Sequence, residues 1–63
     1  MEFTLKIKLG NAGMEAGDQV AAVMEKIAVS LYDLEADGEE MAGASGTAFD
    51  VNGNKVGEWK ISK

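Results

Sequence analysis

The chain has 63 residues and a net charge of −5, with eleven acidic residues, six lysines and no arginine, histidine or cysteine. The missing residue types exclude disulfides, Cys/His zinc sites and catalysis by a thiol or an imidazole, so we expect no enzymatic activity, no cofactor and no metal. The negative charge argues against direct binding to nucleic acid or anionic membranes, and it favours a cationic protein surface as the partner.

The length predicts one domain, residues 1–63, with a small core. Neither a disulfide nor a zinc site can supplement that core, and oligomerisation is the remaining common way to stabilise so small a domain, so we expect a homodimer. The chain shows no signal-peptide pattern and no apolar run of about 18 residues, so we expect a cytoplasmic protein.

The first predicted element is a strand over residues 2–9, "EFTLKIKL". Its apolar residues alternate with polar ones, which is the period of a strand with one buried face. The glycine-rich "GNAGMEAG" follows as a loop, and Asp18 is placed to cap the next helix.

Residues 19–36 are predicted to form an amphipathic helix, because their apolar side chains fall in a stripe of about 100° at helical spacing. Gly38 suits a left-handed residue just after the helix end, and the following "EEMAGASG" looks like a flexible connection.

Two further strands are predicted at residues 47–51 and 57–61, where apolar residues again alternate. The pair Asn52 and Gly53 between them is typical of a tight hairpin turn, since both tolerate positive φ.

The elements combine into an α+β fold, β-α-β-β, with a three-stranded antiparallel sheet in the order 1-3-2 and the helix on one face. The outer face of the sheet would carry Thr4, Lys6, Lys8, Val56, Glu58 and Lys60. The predicted core comprises Phe3, Leu5, Ile7, Leu9, Val20, Val23, Met24, Ile27, Leu31, Leu34, Phe49, Val51, Trp59 and Ile61.

Two short patterns have weak chemical interpretations. The oxygen-rich segment from Asp50 fails the calcium-loop pattern, because loop positions six and twelve hold Lys55 and Ile61 in place of glycine and glutamate. The segment from Asp33 to Gly38 fails at its twelfth position as well. Lys26 and Ser30 are four residues apart, but nothing buries the lysine as a catalytic base would require, so a solvated helix face is the better interpretation.

The acidic residues are concentrated in the middle of the chain. Residues 11–40 contain eight of them against Lys26 alone, a local balance of −7, and acids near a helix C-terminus oppose its dipole. They serve either to bind a basic groove or only to keep the protein in solution. The candidate partner-binding residues are Glu15, Asp18, Glu25, Asp33, Glu35, Asp37, Glu39 and Glu40.

The helix side opposite the predicted core is partly apolar. Ala21, Ala22, Val29 and Tyr32 lie there among acidic residues, and tyrosine is favoured at interfaces, so Val29 and Tyr32 are candidate interface residues.

A similarity to known proteins lies in two segments, "DVNGNKVGEWKI" at residues 50–61 and "LKIKLGNAGM" at residues 5–14. Through them the chain resembles small uncharacterised bacteriophage and prophage proteins that end in an Asp-x-Asn-Gly-Asn-x-Val-Gly-x-Trp pattern. The resemblance implies a shared hairpin and no particular activity. Small acidic phage proteins without catalytic residues are often inhibitors of host defence, such as anti-CRISPR proteins, some of which imitate DNA. The chain is similar to them in type, not in any shared motif.

The sequence therefore favours a non-catalytic phage inhibitor of a host nucleic-acid-handling complex, acting in the host cytoplasm through an acidic helix face. The alternative is a small structural or assembly module of a phage or host complex, in which the acids serve solubility only. A third possibility is a small-molecule site between subunits near Trp59.

Overall fold

The computed structural model describes residues 1–63 as one open antiparallel sheet with one α-helix. The strands are ordered β1-β3-β2, which confirms the predicted α+β fold and β-α-β-β topology. The elements are β1 (Glu2–Ile7), α1 (Gly17–Tyr32), a 3₁₀ helix (Gly38–Met41), β2 (Ser45–Phe49) and β3 (Lys55–Ser62).

The central strand β3 organises the core through Trp59. This residue lies opposite Leu5 of β1 and opposite Gly46 of β2. Its ring lies over Gly46, so closely that a Cβ there would overlap the indole, and it stacks on Phe3 with ring centroids 5.9 Å apart. One tryptophan thus spans the width of the sheet on the side that faces α1.

A β-bulge changes the side-chain pattern at the start of β3. Ala48 pairs with Gly57 and Phe49 pairs with Lys55, so Val56 is an extra residue with no partner on β2. A bulge rotates the side chains next to it out of strict alternation. Val56 is consequently 3% exposed and belongs to the core, and its predicted place on the outer face is wrong.

The helix begins and ends earlier than predicted. Its N-cap is Ala16, and Asp18 lies inside the first turn without forming a side-chain cap, so the prediction of Asp18 as the cap is wrong. The side-chain oxygen of Gln19 instead accepts hydrogen bonds from the backbone N–H groups of Glu15 and Ala16, at 2.7 and 3.0 Å. Gln19 is the third residue after the N-cap, and from that position a side chain reaches back to the N–H groups at the helix start. The side chain of Asp18, one residue earlier, does not reach them.

The C-terminus of α1 lies at Tyr32, with Asp33 as the C-cap. A helix continued to residue 36 would carry two more acids into the negative end of its dipole, which disfavours the extension. Gly38 does have positive φ, 56°, but it opens the 3₁₀ helix and does not terminate α1. The connection predicted to be flexible therefore contains a helical turn, and Met41 and Ala44 pack against the core.

We expect Gln19→Ala to lower the free energy of unfolding by about 0.5–1 kcal/mol, because two N–H groups at the helix start lose their acceptor. Asp18→Ala serves as the matched control and should cost less, since Asp18 makes no capping bond. Urea denaturation followed by circular dichroism measures both. A larger loss for Asp18→Ala would contradict the assignment of Gln19 as the capping side chain.

The core is smaller than predicted and lies between α1 and the β2–β3 half of the sheet. The helix packs chiefly against β2, so it leaves the β1 side of the same face only partly covered. Four predicted core residues are buried, namely Val23, Ile27, Trp59 and Ile61, and five more are partly buried, namely Leu5, Ile7, Val20, Leu31 and Leu34. The remaining five are exposed, contrary to prediction: Phe3, Leu9, Met24, Phe49 and Val51.

Three buried apolar residues were absent from the predicted core: Met14, Ala48 and Val56. Met14 comes from the loop before α1, where no periodic pattern marks a buried position. β1 ends at Ile7 and β2 at Phe49, so Leu9 and Val51 lie beyond the strands whose alternation predicted them to be buried.

Candidate functional site

The eight candidate acidic residues are all exposed, but they lie on different segments. Asp18 and Glu25 are on α1, Glu15 precedes it and Asp33 caps its C-terminus. Glu35 and Asp37 follow in the segment between α1 and the 3₁₀ helix, and Glu39 and Glu40 are in the 3₁₀ helix. The predicted acidic helix face therefore consists of two carboxylates on α1 itself, with the others placed before and after it.

One side of α1 faces away from the sheet, and we call it the open side of α1. At 100° per residue, Asp18, Glu25, Val29 and Tyr32 fall within an arc of about 60°, on the opposite side from the buried Val23 and Ile27. Ala21 and Ala22 flank this arc and are also exposed. The open side of α1 comprises Asp18, Ala21, Ala22, Glu25, Val29 and Tyr32.

The C-terminal half of the open side is apolar. Val29 is 60% exposed and Tyr32 is 89% exposed, so the aromatic ring makes little contact with the rest of the chain. A shallow apolar hollow beside it is lined by Ala28, Leu31 and Tyr32. A tyrosine exposed to this extent next to such a hollow is the arrangement that a partner side chain or pocket covers in an interface.

The N-terminal half of the open side carries the charge. Asp18 and Glu25 are about 10 Å apart along the helix axis, with the small residues Ala21 and Ala22 between them. Small side chains allow another backbone or a long cationic side chain to approach the helix closely. Asp33 follows Tyr32 directly, so carboxylates lie on both sides of the apolar part.

The oxygen-rich segment after β2 forms a turn built on one carboxylate. Asp50 is 1% exposed, and its Oδ1 accepts hydrogen bonds from the backbone N–H groups of Asn52 and Asn54, at 2.9 and 2.8 Å. Asp50 Oδ2 has no hydrogen-bond partner in the chain. No group of three or more acidic, histidine or cysteine side chains is arranged to hold a metal ion.

The turn is wider than the predicted two-residue hairpin. The connection runs from residue 50 to residue 54, and only Gly53 has positive φ, 82°, while Asn52 does not. Within the turn the Gly53 N–H donates to the Asp50 carbonyl at 3.0 Å and the Asp50 N–H donates to the Asn54 carbonyl at 2.9 Å, and the Asp50 carboxylate adds two further bonds. The sequence therefore marks the turn correctly but not its length.

The remaining candidates have structural roles. The Ser30 hydroxyl donates a hydrogen bond to the backbone carbonyl of Lys26, at 3.2 Å, as serines within helices often do. Trp59 is buried in the core, and a shallow depression on the outer sheet face reaches only part of it. The lining of that depression is otherwise polar: Thr4, Lys6, Ser45, Glu58 and Lys60.

Two features of the surface were not predicted from the sequence. The hollow beside Tyr32 depends on where α1 ends, and the partly covered face of β1 depends on α1 packing towards β2. Helical periodicity alone would have found Ala28 next to Tyr32, but it does not locate the helix end.

No family model, curated protein or solved structure matches the chain. Neither α1 nor the short 3₁₀ helix has the length and apolar character needed to cross a bilayer.

Proposed function

We propose that this protein is a non-catalytic binding protein that attaches to another protein through the open side of α1. The observation that carries the proposal is the 89% exposure of Tyr32 beside Val29, between the carboxylates of Glu25 and Asp33. Exposed aromatic residues with an apolar neighbour and a charged rim are typical of interface centres.

The partner has a surface on which basic residues surround an apolar pocket that accepts Tyr32. Tyrosine is among the residues that contribute most binding energy at interfaces, whereas charges at the rim mainly raise the association rate and select the partner. Because net charge over residues 11–40 is −7, the association is steered by long-range attraction and weakens as salt rises.

A basic groove that normally holds nucleic acid meets these requirements, and we therefore propose an inhibitor of a host nucleic-acid-handling defence complex, encoded by a phage and acting in the host cytoplasm. The acids do not copy DNA phosphate by phosphate. Asp18 and Glu25 are about 10 Å apart, whereas duplex DNA carries one charge per ~1.7 Å. The acids serve to attract the groove, and Tyr32 and Val29 supply the contact.

Two matched triple variants test the charge contribution by capture of partners from host lysate. The variant with Asp18→Lys, Glu25→Lys and Asp33→Lys alters the open side and its C-cap, whereas Glu35→Lys, Glu39→Lys and Glu40→Lys changes the net charge equally on the connection. We expect the first to abolish capture and the second to weaken it less, with wild-type capture falling between about 50 and 500 mM salt. Salt-independent capture that survives the first variant would contradict the proposal.

The apolar contribution has its own test. We expect Tyr32→Ser together with Val29→Ser to weaken binding to the captured partner by about 30-fold, because a central aromatic contact is worth about 2 kcal/mol or more. Both residues are exposed, so the variant should fold normally, and isothermal titration calorimetry measures the affinity. Met24→Ser, an exposed apolar change outside the open side, is the control and should leave the affinity unchanged.

The second candidate function is that of a structural or assembly module that contacts phage or host proteins through its sheet. The free edges of β1 and β2 favour it, since unpaired strands accept a further strand. In that case the acids serve solubility only, and all the α1 variants described above would bind like the wild type.

A further inference from the structure

β1 has one unpaired edge, and its hydrogen-bonding pattern can be read from the pairing with β3. The Lys8 N–H donates to the carbonyl of Val56, at 2.7 Å, one position beyond the Ile7–Gly57 pair that ends the β1–β3 register. In an antiparallel pair such residues alternate with residues whose N–H and C=O groups point the other way. Phe3, Leu5 and Ile7 therefore direct their backbone polar groups to the free edge.

The same three residues place their side chains on the partly covered half of the sheet face. α1 packs chiefly against β2, so Phe3 is 47% exposed, and Leu5 and Ile7 are only partly buried. An edge strand that combines unpaired backbone groups with exposed apolar side chains is a template for another strand. The chain contains a strand that fits this edge, namely β1 of a second copy.

The sequence of β1 is self-complementary when it runs antiparallel to itself with Thr4 at the twofold axis. Glu2 then lies opposite Lys6 of the second copy, Phe3 opposite Leu5, and Thr4 opposite Thr4. The Phe3–Leu5 pairs exchange backbone hydrogen bonds, and the Glu2–Lys6 pairs occupy the positions where opposing side chains are closest.

The alternatives fit less well. Hydrogen bonding allows only pairings between the outward-directed residues, so the nearest other registers are centred on Leu5 and on Phe3. The first places Lys6 of both copies diagonally next to each other, where like charges repel, and its Glu2–Lys8 pairs lie beyond the end of β1. The second puts Glu2 opposite Thr4 and leaves Lys6 with no residue opposite it, so no directly opposed charge pair forms. The free edge of β2, "SGTAF", contains no charged residue and offers no such complementarity.

We propose that two copies join through their β1 edges, antiparallel and centred on Thr4, to form a continuous six-stranded sheet. The twofold axis is perpendicular to the sheet, so both α1 helices lie on the same face and both open sides remain accessible. The pairing covers Phe3 and Leu5 of each copy. It goes beyond the proposed function and does not depend on it.

Charge reversal tests the pairing by analytical ultracentrifugation. We expect a wild-type mass of twice the 6.6 kDa of one chain, and a dissociation constant raised at least about tenfold by Glu2→Lys alone or by Lys6→Glu alone. An equimolar mixture of the two variants restores opposite charges at every charged pair and should dimerise again. Lys63→Glu, a similar charge reversal outside β1, should leave the dimer unchanged.

Cysteine substitution tests the register independently of affinity. The chain contains no cysteine, so Thr4→Cys introduces a single thiol at the proposed axis, with geometry suited to a disulfide between copies. Mild oxidation should cross-link Thr4→Cys efficiently and Thr47→Cys, on the β2 edge, only weakly. A wild-type monomer at all concentrations, or cross-linking that favours Leu5→Cys or Thr47→Cys over Thr4→Cys, would overturn the proposal.

Discussion

Gly57→Ala should lower the free energy of unfolding by about 3 kcal/mol, the upper end of the usual cost of overpacking. A Cβ at this position would overlap the carbonyl oxygen of Lys6 and lie 2.9 Å from Cα of Ile7, both of which belong to the backbone of β1. Backbone atoms within a paired strand cannot rotate away as a side chain can. Thermal unfolding followed by circular dichroism measures the loss.

The size of this effect is large for such a short chain. A domain of this length has a total stability of about 3–9 kcal/mol, so the variant loses about a third or more of it and should melt about 12–24 °C below the wild type. Gly17→Ala is the matched control, because a Cβ on Gly17, in the first turn of α1, would have no other atom within 4 Å. We expect that control to be neutral or to raise stability by about 0.4–1 kcal/mol. Equal behaviour of the two variants would show that β1 shifts to accommodate the methyl group.

Much of the fold follows from two periodicities in the sequence. The alternation in β1 and β3, the helical spacing of Val23 and Ile27 and the Asn-Gly turn, together with the rules for chain connections, predicted the topology and strand order. Val56 was misplaced because a bulge is set by how two strands pair, and alternation along one strand contains no sign of it. The close approach of the β1 backbone to Gly57 depends on how the two strands pair, so the sequence alone does not show it.

The candidate site was also predicted only in part, because periodicity shows which residues share a helix side but not where the helix ends. Helical geometry predicts that Asp18, Glu25, Val29 and Tyr32 share a side, and the structure has them on the open side of α1. The grouping of Glu35, Asp37, Glu39 and Glu40 with that side depended on the length of the helix. Helix ends depend on capping side chains such as Gln19 and on the local balance of charge, which periodicity does not contain.

The core also shows what sequence patterns leave out. Phe3 was predicted to be buried from its alternation, yet α1 lies over β2 and leaves it half-exposed. Amphipathic periods show which face of an element is apolar, but they do not show where on a sheet the helix lies. The exposed face of β1 is the result, and it is the basis of the proposed pairing of two copies.

The turn around Asp50 packs against the loop of residues 10–14, and substitution of Asp50 is the second change for which we expect a large loss of stability. Gly13, with φ of 92°, packs against the turn, and a Cβ there would lie 3.3 Å from Asp50 Oδ2 and 3.2 Å from the side-chain nitrogen of Asn52. The backbone of Asp50 also donates to the carbonyl of Asn54, at 2.9 Å. The carboxylate therefore holds the β2–β3 connection in the shape against which the loop of residues 10–14 packs.

Asp50→Ala should lower the free energy of unfolding by about 3 kcal/mol, because a hydrogen bond to a charged acceptor is worth about 1.5–3 kcal/mol and Oδ1 accepts two of them. Asp50→Asn is the control, since it keeps an acceptor of the same size at Oδ1 and should lose less than half as much. Urea denaturation of the three proteins, with and without calcium, measures the differences. Equal losses for alanine and asparagine would show that the charge of Asp50 matters more than its geometry. A rise in stability with calcium that the wild type shows and Asp50→Ala lacks would make this carboxylate a metal ligand. The expected result makes residues 50–54 a structural turn, so the proposed binding function has to come from a surface elsewhere, such as the open side of α1.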